Sequence, residues 1–202
     1  MNLPNLLTLS RIPLTFLIVL LVYCEWTGAA TCAFLAFIWC GITDWLDGHL
    51  ARKHGIVSSF GIFMDALTDK IFVLGVMVAL TDARLILGGS HFVPVLMFLL
   101  VLTREFVITG MRLVAALQGV VVAAEKGGKL KTIMQIVALG AFLFVPMVQR
   151  DVQRLSPWDL SLVASLAHYL AFGMYAVAVL LTVWSGLTYL LKYRHVFAEK
   201  KP

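Results

Sequence analysis

An all-α polytopic membrane protein with about six transmembrane helices is the fold class this sequence predicts, and three observations predict it. Of 202 residues, 61% are hydrophobic and only 13% are charged, with a mean hydropathy of +0.94, far from the balance of a water-soluble domain. Six apolar runs each approach the roughly 20 residues a helix needs to cross about 30 Å of hydrocarbon. The basic residues also fall unequally between alternate connections. A single membrane domain over 1–202 is expected.

The first run, 6–24, has the length of a secretory signal but lacks a basic opening segment and a small-residue cleavage site, so it reads as the first spanning helix. Pro4, just before it, suits the start of a short interfacial helix. The second and third runs are 29–47 and 60–80, the latter the least apolar because Asp65, Asp69 and Lys70 lie in its first half. The fourth, fifth and sixth are 92–116, 132–148 and 162–191. They leave connections at 25–29, 52–59, 81–91, 117–131 and 149–161, with no internal repeat, low-complexity tract or soluble domain. Cys24, Cys32 and Cys40 recur every eight residues without a CxxC pair or a ligand-spaced histidine, which predicts structural thiols.

Placing the N-terminus inside puts eleven basic residues on the cytoplasmic side (Arg11, Arg52, Lys53, Arg112, Lys126, Lys129, Lys131, Lys192, Arg194, Lys200 and Lys201) against Arg84, Arg150 and Arg154 outside. The positive-inside rule therefore predicts that both termini are cytoplasmic. The formal charge of +5 describes a basic inner face suited to anionic headgroups or phosphorylated substrates, and no nucleic-acid partner is expected.

Between Asp44 and Asp69 four carboxylates stand within apolar sequence. Ionisable groups at membrane depth are costly and persist where they face a cavity, a cation or one another. Asp44 and Asp47 are three residues apart and Asp65 and Asp69 four apart, so each pair shares a helix face. A turn around Gly55, Ser58 and Ser59 is expected to bring the two helices alongside, so that all four groups converge. Mutual repulsion then demands cations, and hard oxygen ligands select Mg2+, Mn2+ or Ca2+ over zinc. Gly48, Ala51 and Gly61 are small enough to admit a ligand beside the carboxylates, and Arg52 adds a positive charge suited to phosphate.

The pattern DxxDGxxAR, eight residues, GxxxDxxxD is matched without departure by Asp44, Asp47, Gly48, Ala51, Arg52, Gly61, Asp65 and Asp69. It resembles the signature of the CDP-alcohol phosphotransferases, membrane enzymes of phospholipid synthesis. The segments NLPNLLTLSRIPL, TREFVITGMRLVAALQG and GGKLKTIMQIVA extend the likeness over most of the chain, toward the bacterial phosphatidylglycerophosphate synthases of that family. The resemblance implies transfer of a phosphatidyl group from CDP-diacylglycerol to glycerol 3-phosphate, giving phosphatidylglycerol phosphate and CMP. It also implies two divalent ions, Mg2+ or Mn2+, a homodimer, and a site facing the cytoplasm from the bacterial inner membrane. By similarity, Asp44, Asp47 and Asp65 hold one metal, and Asp69 joins Asp44 and Asp65 around the second and is the general base. Gly48, Ala51, Arg52, Ser58 and Gly61 would line the CDP portion. Asn5, Thr8 and Arg11 lie where an interfacial segment meets the nucleotide or headgroup.

A phosphorylated acceptor needs a second basic set. Arg112 and Lys131 are the candidates, with Arg104 and Lys129 behind them; the competing reading pairs Arg104 with Glu105 and leaves the lysines as topology determinants. Lys70 follows Asp69 and points to another face. GGKLK is not a Walker A loop, because position 123 is Ala. His49 and His54 lack ligand-spaced partners. An intramembrane prenyltransferase would need a second aspartate motif, whereas only Asp82, Asp151 and Asp159 follow Asp69, all in expected exterior connections. A cation transporter would need charged residues leading outward. The same chemistry on inositol phosphate or serine is the remaining alternative.

Overall fold

The computed structural model describes residues 3–54, 59–118 and 126–193; the side chains of 3–5, 45, 47–54, 59, 60, 62 and 126–129 lie outside that description. The described residues carry no strand; helices joined by short connections run in the order α1 (Leu3–Tyr23), α2 (Ala29–His54), α3 (Ser59–Asp82), α4 (Phe92–Leu117), α5 (Lys126–Pro146), a π turn (Met147–Val152), the single turn α6 (Gln153–Leu155) and α7 (Ser161–Lys192). Among the described residues four segments, Leu6–Tyr23, Phe92–Leu117, Leu130–Leu155 and Ser161–Lys192, are long and apolar enough to cross a membrane, and Ala29–Asp44 is a shorter apolar stretch. Helix α3 falls short because Asp65, Asp69, Lys70 and Asp82 break up its apolar sequence.

Several boundaries differ from expectation. Pro4 starts no separate interfacial helix: it sits in the first turn of a continuous α1, where its missing N–H has no partner to lose. Helix α2 runs past 47 to His54, carrying the first aspartate pair in regular helix. Helix α5 begins at Lys126, so Lys126, Lys129 and Lys131 are helical and not in a connection. Lys131, Gln135, Ala138 and Phe142 recur at helical spacing and are all buried, so the apolar stripe draws the polar start of the run into the helix. The connection expected at 149–161 shrinks to 156–160, because the π turn and α6 continue the chain from α5.

The core is formed where α1, α2, α3, α5 and α7 meet. Ile18, Phe37, Phe72, Met77, Leu80, Leu139, Phe142 and Tyr175 are buried together there. Phe37 stacks on Phe72 with ring centroids 5.1 Å apart, and Phe142 meets Tyr175 edge-on at 6.0 Å. Helix α1 packs against both α2 and α3, whereas α2 and α3 make no close backbone approach among the described residues. Helices α2 and α3 meet through side chains, in the Phe37–Phe72 stack, while α1 is wedged against both; the turn expected around Gly55 and Ser58 lies outside the described residues. Phe16, Leu20, Leu113, Leu170, Leu180 and Trp184 turn outward and are exposed. An apolar exterior of this extent suits lipid, not water.

Asp151 is not in a loop: it belongs to the π turn and is buried. Pro146 has no N–H for the helical ladder, and the wider π turn follows directly. The carboxylate of Asp151 accepts hydrogen bonds from the Gly28 N–H (2.9 Å), the Thr31 N–H (2.8 Å) and the Thr31 hydroxyl (2.7 Å). One helix thereby caps the start of another, satisfying amides that have no partner within α2. Gly28 reaches this geometry with φ +102°, and a Cβ there would lie 3.0 Å from the Trp26 ring. Asp151→Ala is expected to destabilise the protein by about 1–3 kcal/mol, since it strands three partly buried donors; a melting curve in detergent measures it. Cys24, Cys32 and Cys40 are free thiols.

Candidate active site

The described part of the aspartate set gathers around one guanidinium. Arg11 projects from α1 and is only 1% exposed. It donates through one terminal nitrogen to Asp44 Oδ1 on α2 and through the other to Asp65 Oδ1 on α3, the latter at 2.8 Å. The wedge position of α1 makes this bridge geometrically available. Asp44 and Asp65 keep about half of their side-chain surface open (48% and 59%). Thr8, one turn before Arg11, is buried on the same helix. Gly61 lies one turn before Asp65 and is partly exposed.

Asp69 lies one turn beyond Asp65 on α3, near enough to Asp44, Asp65, Arg11 and Glu105 for each to act on it electrostatically. It lines a cavity of about 50 Å3 together with Lys70, Glu105, Lys131 and Gln135. Lys131 is buried and paired with Glu105. Arg104 joins the same carboxylate at 2.9 Å. Its stem rests on α7, where a Cβ at Gly186 would come within 2.9 Å of Arg104 Cγ. The acidic cluster and the basic residues downstream therefore meet across one small cavity, with Asp69 common to both.

Not every anticipated residue joins this arrangement. Arg112 faces α7, donating from Nε to the Tyr189 hydroxyl at 3.2 Å and lying over that ring at 5.7 Å. Lys70, expected on another face, lines the same cavity as Asp69 and reaches the Thr109 hydroxyl on α4. Asp47, Gly48, Ala51 and Arg52 continue α2 toward the same end of the bundle, but their side chains lie outside the described residues, as do those of Asn5, Lys129, His49 and His54. Ser58 lies outside them altogether. Arg11, Glu105 and Gln135 were underweighted by the sequence. A lone arginine in an apolar run and a glutamine one turn after Lys131 were the available signals.

Among the described residues no three His, Cys, Asp or Glu side chains converge closely enough to hold a metal ion. The donor chemistry nevertheless fits a divalent cation. Asp44, Asp65 and Asp69 set three carboxylates against one guanidinium, with Asp44 and Asp65 drawn to opposite ends of that guanidinium, and all the donors are hard oxygens.

These features define a class: a helical membrane protein with an acidic, cation-attracting centre at one end of the bundle and a polar cavity beside it. A family model described as CDP-alcohol phosphatidyltransferase matches residues 1–187, and the chain belongs to that family. It is 40% identical over 154 residues to a Bacillus subtilis (strain 168) protein named CDP-diacylglycerol–glycerol-3-phosphate 3-phosphatidyltransferase, covering 70% of this chain and 76% of that one. It is 34% identical over 191 residues to the protein of the same name from Shigella flexneri serotype 5b, covering 94% and 93%. A Mycobacterium tuberculosis (strain H37Rv) protein named "Probable phosphatidylglycerophosphate synthase" is 34% identical over 194 residues, covering 95% of this chain and 81% of its own.

Proposed function

We propose that this chain transfers the phosphatidyl group of CDP-diacylglycerol to glycerol 3-phosphate, releasing CMP and forming phosphatidylglycerol phosphate. The observation that carries this reading is the shared cavity, in which Asp69 of the family motif and Lys131 line one space. A carboxylate beside an ammonium suits an acceptor that must both lose a proton and present a phosphate. Relatives at 34–40% identity named for this activity support the choice of donor and acceptor.

The chemistry follows from those placements. The primary hydroxyl of the acceptor lies at Asp69, which takes its proton as the oxygen attacks the phosphorus bearing the diacylglycerol. That new P–O bond forms as the bond to the bridging oxygen of the pyrophosphate breaks, and CMP leaves with the electron pair. Two divalent ions, Mg2+ or Mn2+, held by Asp44, Asp47, Asp65 and Asp69, would neutralise the pyrophosphate and the leaving group. Gly48, Ala51, Arg52, Ser58 and Gly61 line the CDP portion, with Asn5 and Thr8 at its edge. Lys131 receives the acceptor phosphate, aided by Arg104 and Lys129, and Arg112 joins them only by leaving the Tyr189 hydroxyl; Glu105 holds Lys131 in the cavity until the phosphate arrives. The whole chain acts as one domain with six spans, both termini and the site on the cytoplasmic face of the bacterial inner membrane, in a homodimer.

Membranes containing the protein are expected to release labelled CMP from CDP-diacylglycerol only when glycerol 3-phosphate and a divalent cation are both present. Release with serine or inositol phosphate in its place would reassign the acceptor. Lys131→Met is expected to raise KM for glycerol 3-phosphate by about 10- to 100-fold, the loss of one charge-assisted hydrogen bond of roughly 1.5–3 kcal/mol. An unchanged KM would remove Lys131 from the acceptor site.

A further inference from the structure

Gln135 is only 4% exposed, yet its amide has a poor partner. Its Nε2 lies 2.9 Å from the sulfur of Met77. A thioether is a weak acceptor, and in either orientation of the amide it satisfies at most one of two donors and neither lone pair of the oxygen. Buried amides are ordinarily paired with oxygen or nitrogen, because leaving one unsatisfied costs roughly 1–3 kcal/mol. Gln135 also lines the cavity shared with Asp69 and Lys131. That space holds about 50 Å3, enough for one hydroxyl-bearing carbon or a water molecule.

Apart from Asp69, which is left for the reacting hydroxyl, the other polar groups around this space have partners of their own, Thr132 included. Glu105 is paired with Lys131 and Arg104, and Lys70 reaches Thr109. Gln135 is one turn along α5 from Lys131 and faces the same space, so a molecule anchored by its phosphate at Lys131 extends past the amide. A neutral group offering both a donor and an acceptor suits a hydroxyl, which is itself both.

We propose that Gln135 is a specificity-determining residue: its amide hydrogen-bonds the acceptor hydroxyl that does not react, selecting a phosphorylated vicinal diol over a phosphorylated mono-alcohol of the same length. The inference rests on the phosphatidyl-transfer reading and sharpens its acceptor. An acceptor without the second hydroxyl leaves the amide with only the sulfur, and a buried polar group left unpaired penalises the wrong substrate.

The test compares glycerol 3-phosphate with 3-hydroxypropyl phosphate, which keeps the primary hydroxyl and the phosphate but lacks the middle hydroxyl. Full-length enzyme in detergent with Mg2+ and CDP-diacylglycerol is assayed as wild type, Gln135→Met and Gln135→Leu. Wild type is expected to favour glycerol 3-phosphate by about 10- to 100-fold in kcat/KM. In the variants that preference is expected to shrink to about threefold or less, because the rate with glycerol 3-phosphate falls far more than the rate with the analogue. A preference that persists in both variants, or rates that fall in parallel for both substrates, overturns the proposal. Should neither variant fold, Gln135→Asn retains the amide but withdraws it by one methylene; an undiminished preference there overturns it equally. A wild-type enzyme that releases no CMP with glycerol 3-phosphate sinks the underlying reading as well, an outcome distinct from an active wild type whose preference the variants preserve.

Discussion

Asp69→Asn is expected to slow CMP release by about 100- to 10,000-fold, the range attributable to a positioned general base, while leaving the melting temperature close to that of wild type. Asp69 is the one described residue that belongs to both the acidic cluster and the polar cavity. Asparagine keeps its size and its hydrogen-bonding capacity but cannot accept the acceptor's proton. The variant also weakens one metal position, so the assay is best run across a range of Mg2+ concentrations. If saturating Mg2+ restores the full rate, Asp69 serves only as a ligand and the base lies elsewhere. The reading fails altogether if the rate is unchanged at low Mg2+ too.

Arg11→Leu is expected to lower stability while leaving the acidic cluster without its counter-charge. The guanidinium is buried between Asp44 and Asp65, and its removal leaves two carboxylates facing each other across α1 without their counter-charge. Breaking a fully buried pair costs roughly 3–5 kcal/mol. Here both carboxylates are about half exposed, which lowers the expectation to about 2–3 kcal/mol, or about 5–10 °C in melting temperature for a chain of this size. The shift should be measured in chelator and again in millimolar Mg2+. A smaller deficit with Mg2+ is expected, because a divalent ion supplies the missing positive charge. Equal melting of variant and wild type in chelator would show that the bridge contributes nothing.

How much of this was legible in the sequence depended on how far apart the interacting residues lie along the chain. The four aspartates were conspicuous because a charge in apolar sequence needs a local explanation, and their spacing carried the family pattern. Four helices were equally plain, because among the described residues their apolar runs are long enough to cross a membrane; the charges in α3 hid its length from hydropathy. Arg11 was harder to place: its role depends on α1 lying between α2 and α3, which no local pattern encodes. Asp151 was hidden for the same reason, since its contact with Thr31 joins residues 120 positions apart, and in sequence it resembled an ordinary loop acid. The start of α5 was missed through composition. Lys126, Gly127, Gly128 and Lys129 have the look of a loop, while the buried stripe from Lys131 to Phe142 carries the helix back through them.

The clasp between Asp151 and the start of α2 has a consequence at the opposite end of the bundle. Asp44 lies about 20 Å along α2 from that clasp, and Lys131 about 30 Å along α5, at 1.5 Å per residue. The two helices bearing the donor-side carboxylate and the acceptor-side ammonium are therefore pinned like the legs of a calliper, hinged at the far face. Deleting one residue from the π turn would leave every functional side chain in place by identity, yet change the gap between the calliper's tips. Phosphoryl transfer depends on that spacing, so the deletion is expected to impair catalysis without touching the catalytic residues.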